Sequence, residues 1–428
     1  MNRLLLIASL SLTLPASATL PSLSAAEHRL EVRQLTTGPL HHFYGYIGHV
    51  QNIPWNKSGR YIATLRTSVR DHLPTALEPA EIVLLDCQND YSPRVVEHTR
   101  AWNPQQGTML YWNPLAQETQ FFFNDRDPAT NKTFCVLFDI AAGDETAAGS
   151  KGKRIREYRF DDVAIGNGGV AQRGGKFLGI NYGRMAILRR VTGYAGDAGS
   201  NAAIRHPDND GVFLVDVETG QRRLLASFAD LAARLRGEHP GINQVGLFIN
   251  HTLWSRDDSR CFFFVRGGWD EPGPRINVPM VMNADGTNLR PLKHFIGGHP
   301  EWFDGQKLIG SLDKKQVIDD TDKMEVAGTL GDEEKFPQPE GDCALCPGGK
   351  WFANGYRIKD PNVYSLLRLA DGKFLRSTTF DVRGYTGGDL RIDPAPWWNR
   401  QSNQILISAL AADAERTRQL FLLTIRED

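Results

Sequence analysis

The sequence predicts an all-β chain that closes into a single seven-bladed β-propeller with four-stranded antiparallel blades. Three observations carry that prediction. A unit of aromatic-ended strand, polar turn and second apolar strand recurs seven times. The recurrences are spaced by about 57 residues on average, near the length of one four-stranded blade with a generous loop. Finally, a strand signal without a partner at the start of the mature chain answers a strand close to the C-terminus.

Taken in chain order, the first residues read as an export signal. Asn2 and Arg3 form a short basic region, Leu4 to Leu14 an apolar stretch too short to span a bilayer, and Ala16-Ser17-Ala18 and Ser24-Ala25-Ala26 offer small residues for cleavage. Cleavage after Ala26 makes 1–26 a signal peptide and leaves 27–428 as the propeller. The expected location is the periplasm or the medium. No second apolar stretch of spanning length follows.

Leu30 to Leu35 is the unmatched strand that would close the ring. The repeated hairpin units are Trp55 to Tyr61, Trp112 to Phe121, Gln172 to Phe177, Trp254 to Cys261, Trp302 to Leu308, Cys346 to Trp351 and Trp398 to Ile405. Third strands follow most of them, as in Glu81 to Asp86, Thr133 to Phe138, Gly211 to Asp216, Val278 to Met282, Val363 to Leu367 and Gln419 to Leu423. The interval between the third and fourth units is too long for the period. Leu225 to Gly237, with Ser227 as N-cap and Phe228, Leu231 and Leu235 at helical spacing, predicts an amphipathic helix inserted in the fourth blade. Gly193 to Asp210 reads as a long mobile loop.

Composition agrees with many short strands: 41 glycines, 21 phenylalanines, 11 tyrosines and 9 tryptophans. A net charge of -1 gives no basic footprint for nucleic acid. Five cysteines leave at least one thiol without an internal partner, and Cys343 and Cys346, flanking a turn, are expected to be buried thiols; a disulfide and a metal site are the alternatives.

In a propeller the innermost strand of each blade is the segment running into each aromatic turn, so residues just before those turns should gather at one mouth of the channel. They are His49, Gln51, Gln105, Gln106, Asn250, His251, His299, Asp342, Asp389, Arg391 and Asp393. Three denser clusters join them. His41-His42-Phe43-Tyr44-Gly45-Tyr46 places His42, Tyr44 and Tyr46 on one face, so that a base and an acid stand close together. Asn103 to Gly107 with Asn124 and Arg126 supplies amide and ionic groups. Asn181 to Arg184, with Arg189, Arg190 and Tyr194, sets arginines, the natural bidentate partners of carboxylates, beside tyrosines.

Six short motifs, His41 to Tyr46, Ala101 to Gly107, Phe123 to Asp127, Gly193 to Gly196, Asn250 to Asp257 and Gly298 to Trp302, resemble in their order those of a propeller family similar to oligogalacturonate lyases and ulvan lyases. The likeness covers about residues 35 to 425. It implies β-elimination on a uronate-containing oligo- or polysaccharide: a cation or arginine neutralises the carboxylate, a base removes the C5 proton and an acid assists the departing O4. On that reading His42, Tyr46, Arg184, Tyr194 and His251 are the catalytic candidates. His41, Gln105, Gln106, Asn124, Arg126, Asn250 and Arg391 would bind substrate. His299 matches a position that resembles a metal ligand in the oligogalacturonate-lyase branch, but where that branch has a His-x-His this chain has Asp393-Pro394-Ala395. Asp393 is able to ligate a hard cation and Ala395 is not. A divalent ion (Mn, Ca or Zn) held by His299 and Asp393 therefore competes with neutralisation by Arg184 or Arg391. Two other readings remain open: a non-catalytic periplasmic propeller similar to the C-terminal half of TolB, and a glycoside hydrolase using two among Asp342, Asp389 and Asp393.

Overall fold

The computed structural model describes residues 28–45, 52–142, 152–197, 201–413 and 415–427. The expected signal peptide, Tyr46, His49 and Gln51 lie outside the described residues. Short strands, the inner ones apolar runs buried on both faces, are broken by polar turns and pair in chain order into antiparallel sheets, and the chain folds as a propeller with four-stranded blades.

The first sheet runs His41–Phe43, Tyr61–Thr67, Ala80–Asp86, Ser92–Thr99, and the second Tyr111–Trp112, Gln120–Arg126, Thr133–Asp139, Lys153–Tyr158. The third runs Ile165–Val170, Lys176–Asn181, Gly211–Asp216, Arg222–Ser227, and the fourth Leu247–Trp254, Arg260–Gly267, Ile276–Asn283, Arg290–Pro291. The closing sheet takes Trp397–Trp398, Gln404–Leu410 and Arg418–Glu427 from the C-terminus and adds His28–Gln34 from the N-terminal end. That pairing runs from His28↔Glu427 to Gln34↔Phe421, so the strand expected to close the ring does so, one to two residues displaced from its sequence-based bounds.

Seven separate sheets were the expectation; the remaining two sets of strands form one eight-stranded sheet. Gly297–Trp302, Lys307–Leu312, Lys315–Asp320 and Glu325–Leu330 pair among themselves, as do Asp342–Leu345, Trp351–Arg357, Asn362–Arg368 and Phe374–Arg376. The two sets are joined where their first strands meet in parallel at His299↔Asp342.

The repeated units hold the sheets to one another as well as forming turns. In each, the residue after the turn-entry position donates its N–H to the carbonyl opening the second strand, as from Asn56 to Tyr61 and from Ser255 to Arg260, both 2.9 Å. The indole at the strand end then reaches the preceding sheet: Trp112 Nε1 donates to Pro54 O at 2.7 Å, Trp254 to Gly169 O at 3.0 Å, Trp302 to Leu253 O at 3.2 Å and Trp398 to Ala344 O at 3.0 Å. The ring body of these tryptophans fills the inter-sheet core while the N–H is satisfied by a backbone carbonyl of the preceding sheet.

The long interval holds two helices and a 3-10 turn. Phe228–Leu235 is capped by Ser227, whose Oγ accepts from Asp230 N at 3.0 Å, as the sequence predicts, but it lies in the connection from the third sheet to the fourth. Tyr182–Leu188, capped by Asn181, was not expected as a helix. Residues 201–205 of the presumed mobile loop are fastened by Arg184 (below). All five cysteines are free, and Cys343 and Cys346 are buried as expected. Cys346 Sγ accepts from Trp351 N at 3.1 Å and Cys343 Sγ lies 3.0 Å from His299 O.

Candidate active site

Because each first strand runs toward its aromatic turn, its opening residues lie at the opposite rim, where second strands end. There the eight-stranded sheet and the segment leading into the closing sheet line a cavity of about 680 Å³, with His299, Asp342, Asp393, Arg391, Arg357 and Lys314 among its walls. Its size falls within the roughly 300–1,000 Å³ usual for small-ligand sites.

The parallel meeting of the two strand sets puts His299 beside Asp342, and the imidazole Nδ1 contacts the Asp342 carboxylate. His299 is about a quarter exposed at its side chain and Asp342 is buried, so the carboxylate stands behind the imidazole. His251 packs against the pair, its ring centroid 5.0 Å from that of His299. It sits at a bulge in Leu247–Trp254, with the register shifting between Asn250 and Leu253, and has a left-handed φ of 58°. Such a backbone is uncommon for a non-glycine residue and turns its side chain out of the strand's alternation. Asn250 is tied up nearby, its Oδ1 accepting from Arg266 Nη1 at 2.8 Å.

The far wall is the segment leading into the closing sheet. Asp393 accepts from Arg391 Nε at 2.8 Å. Burial, with the neighbouring Asp342 carboxylate, raises the Asp393 carboxyl above its ordinary range, against the opposing pull of Arg391 and His299. Three sheets fasten this segment. Gln105 Nε2 donates to Arg391 O at 2.8 Å, Arg357 donates to Thr386 O and, at 2.8 Å, to Ile392 O, and Arg190 pairs with Asp389 at 3.3 Å. Pro394 can lie flat on the sixth set of strands only because residue 355 is glycine: a Cβ there would stand 1.7 Å from Pro394 O. Buried Arg418 adds a second compensating charge for Asp393; burial lowers its guanidinium to about 10.

The other expected residues fall elsewhere. His41 edges onto Tyr385 at 5.9 Å near Arg418 and Arg70, and burial first, then those cations, lower its imidazole to about 4. His42 turns to the opposite side, its Nδ1 3.0 Å from Gln419 Oε1, and is lowered by burial to about 4. It does not line the cavity. Arg184, expected to meet a substrate carboxylate, is fully buried and spends its guanidinium on backbone carbonyls of Leu247, Asn201, Ile204 and Arg205. Tyr194 is stacked on Tyr182 at 4.5 Å, bonded to Asn124 Nδ2 at 3.0 Å and raised by burial, which is the reverse of what a catalytic base needs. Asn124 also bonds Asn167, and Arg126 lies buried near Asp197 and Tyr194. The backbone N–H of Gln106 donates to Asn103 Oδ1 at 2.6 Å. These contacts make a polar scaffold that ties the second and third sheets together.

Among the described residues no three His, Cys, Asp or Glu side chains are placed to hold one metal ion. His299 and Asp393 do share the cavity, but each faces a protein partner, Asp342 and Arg391. The donor set does not fit a resident divalent ion.

Reading backward from the turns missed Lys314, Arg357 and Arg418. A signal for Arg357 was present: arginine recurs at or next to the end of second strands, at Arg66, Arg126, Arg266 and Arg357. Lys314 sits with Asp313 in the turn joining Lys307–Leu312 to Lys315–Asp320, both with positive φ, the geometry of a two-residue hairpin.

No protein-family model matches the chain, and no curated protein sequence does. Solved structures do. An oligogalacturonate lyase in complex with manganese is 16% identical over 95% of this chain and 99% of its own, with a TM-score of 0.58. The β-propeller domain of Cps50 (Swd1) from Myceliophteria thermophila is 10% identical over 91% and 99%, with a TM-score of 0.46. TolB from Acinetobacter baumannii is 11% identical over 94% and 97%, with a TM-score of 0.37. At such identities the likeness is one of fold.

Proposed function

We propose that this chain is an exported polysaccharide lyase that cleaves a uronate-containing oligo- or polysaccharide by β-elimination, with the eight-stranded sheet counted as two blades of a seven-bladed ring. The observation that carries the reading is the His299–Asp342 pair standing in one cavity with Arg391 and Lys314. The likeness in fold to an oligogalacturonate lyase agrees with it.

The chemistry assigned to these groups balances. Arg391 and Lys314 offset the charge of the substrate carboxylate and so acidify the C5 proton. Asp342 orients His299, leaving Nε2 as the nitrogen that takes that proton. The C5–H electron pair becomes the C4–C5 double bond as the C4–O4 bond breaks. Asp393, whose carboxyl is shifted toward its protonated form, returns a proton to the departing oxygen.

One observation favours a second reading: Asp342 and Asp393 both line the cavity, and two carboxylates are what a glycoside hydrolase requires. Incubation with a panel of polyuronates separates the two. Elimination makes a conjugated unsaturated uronate, seen as rising ultraviolet absorbance. New reducing ends without absorbance would establish hydrolysis instead, and neither product on any polyuronate would sink the enzyme assignment.

A further inference from the structure

On the outer side of the same rim a second cavity of about 280 Å³ opens between the Asp313–Lys314 hairpin, the end of Glu325–Leu330 and the segment 331–336. Lys314 lines both cavities. The partition between them is the connector from Leu330 to Asp342: Pro337 to Gly341 face the larger space, while Gly331 to Glu333 and Phe336 face the smaller.

The smaller cavity carries a defined set of polar groups. Lys314 and Lys315 bring two ammonium groups to it, and both residues are exposed at the rim. Asp332 is neutralised by Lys335 at 2.5 Å, which leaves Glu333 as the opposing charge. Gln316 lines the wall and is 2% exposed. Its Nε2 donates to Pro339 O at 2.8 Å and to Asn354 Oδ1 at 3.3 Å, whereas its Oε1 is buried with no donor opposite it. A buried acceptor left unmade is costly, so a ligand hydroxyl that reaches it is rewarded. Ammonium groups for a carboxylate and an amide oxygen for a hydroxyl together describe a polyhydroxylated anionic ring.

We propose that this second cavity is a distal subsite for another uronate residue of the chain bound in the main cavity, with Lys314 contacting the saccharide at the crossing. The proposal rests on the function proposed above and adds a length requirement: substrates must be oligomers that span the connector. The chemistry of the two cavities differs in one useful respect, since the outer one contains no imidazole and serves binding alone.

The test is calorimetric titration of the full chain with D-galacturonate and with oligogalacturonides of increasing length, in the unaltered protein and in Thr329→Trp. Thr329 is exposed on the outermost strand and lines only the outer cavity, so the indole plugs that space without entering the larger one. Affinity is expected to rise at least tenfold from the short oligomers to the longest, and Thr329→Trp is expected to abolish that rise while short oligomers bind as before. Lys315→Ala should shrink the rise and steepen no other dependence. Short oligomers binding with no gain on lengthening, or a gain that survives the plug, would overturn the subsite and leave the lyase reading standing. Failure of every oligogalacturonide to bind would overturn the subsite as drawn for this uronate, and the polyuronate panel above would then decide the lyase reading by itself.

Discussion

His299 and Asp342 come from strands about forty residues apart, yet a single backbone pairing sets them side by side. If the imidazole is the base, His299→Ala lowers kcat by about 10²–10⁴, the range general bases contribute, with the circular dichroism spectrum unchanged. Asp342→Asn keeps the shape but loses the orienting charge, and its kcat falls with an altered pH profile; an unchanged profile would place the base elsewhere. The buried imidazoles of the first strand make a different prediction. His41 and His42 are each lowered from 6.5 to about 4, so the folded state holds them neutral where the unfolded state takes up protons. Stability is then complete above about pH 6.5 and is lost as pH falls toward 4, by up to ~3 kcal/mol for each group. Melting temperature against pH checks this, and His42→Gln should flatten part of the slope while leaving turnover intact. Arg184 and Tyr194 show why residue type alone misleads. An arginine beside tyrosines reads as an anion site in sequence, but here the guanidinium is consumed by carbonyls of its own loop, and nothing in the spacing reveals those acceptors.

At the scale of elements, hairpins and first strands were legible because each carries its own signal: an aromatic residue, a polar turn and an apolar second strand within ten residues. The tryptophans earn that regularity physically, since each indole fills the inter-sheet core and bonds the sheet before it. What the pattern does not encode is how connectors lean. The segment 381–396 forms a wall of the main cavity only because Gln105, Arg357 and Arg190 hold it from three sheets, partners 199 to 286 residues distant for two of them. Its seat is narrow. Gly355→Ala places a methyl group against Pro394 O, so Pro394 and with it Asp393 must move. The expected outcome is a KM and kcat defect with a modest drop in melting temperature, because the sheet itself can accommodate alanine; wild-type kinetics would mean the wall is not positioned by this contact.

For the whole molecule, periodicity gave the repeat and the closing strand, while the merger of two strand sets into one sheet was invisible, resting as it does on one parallel bridge at His299↔Asp342. The location of the cavity followed from that merger and so lay beyond sequence reading as well. Closure by His28–Gln34 has its own test. Deleting residues 28–34 exposes the free edge of Arg418–Glu427, whose seven pairings with them are lost, and should yield a chain that melts earlier and aggregates through that edge. Retained melting behaviour would show the ring stable as an open arc. The same pairing also fixes an order of events. The strand His28–Gln34 waits for a partner at the far end of the described residues, because His28 meets Glu427, so no polypeptide that stops short of that partner can complete the circle. Closure of the ring is thereby deferred until residues 421–427 are free to pair, whatever the rest of the sheets have already formed.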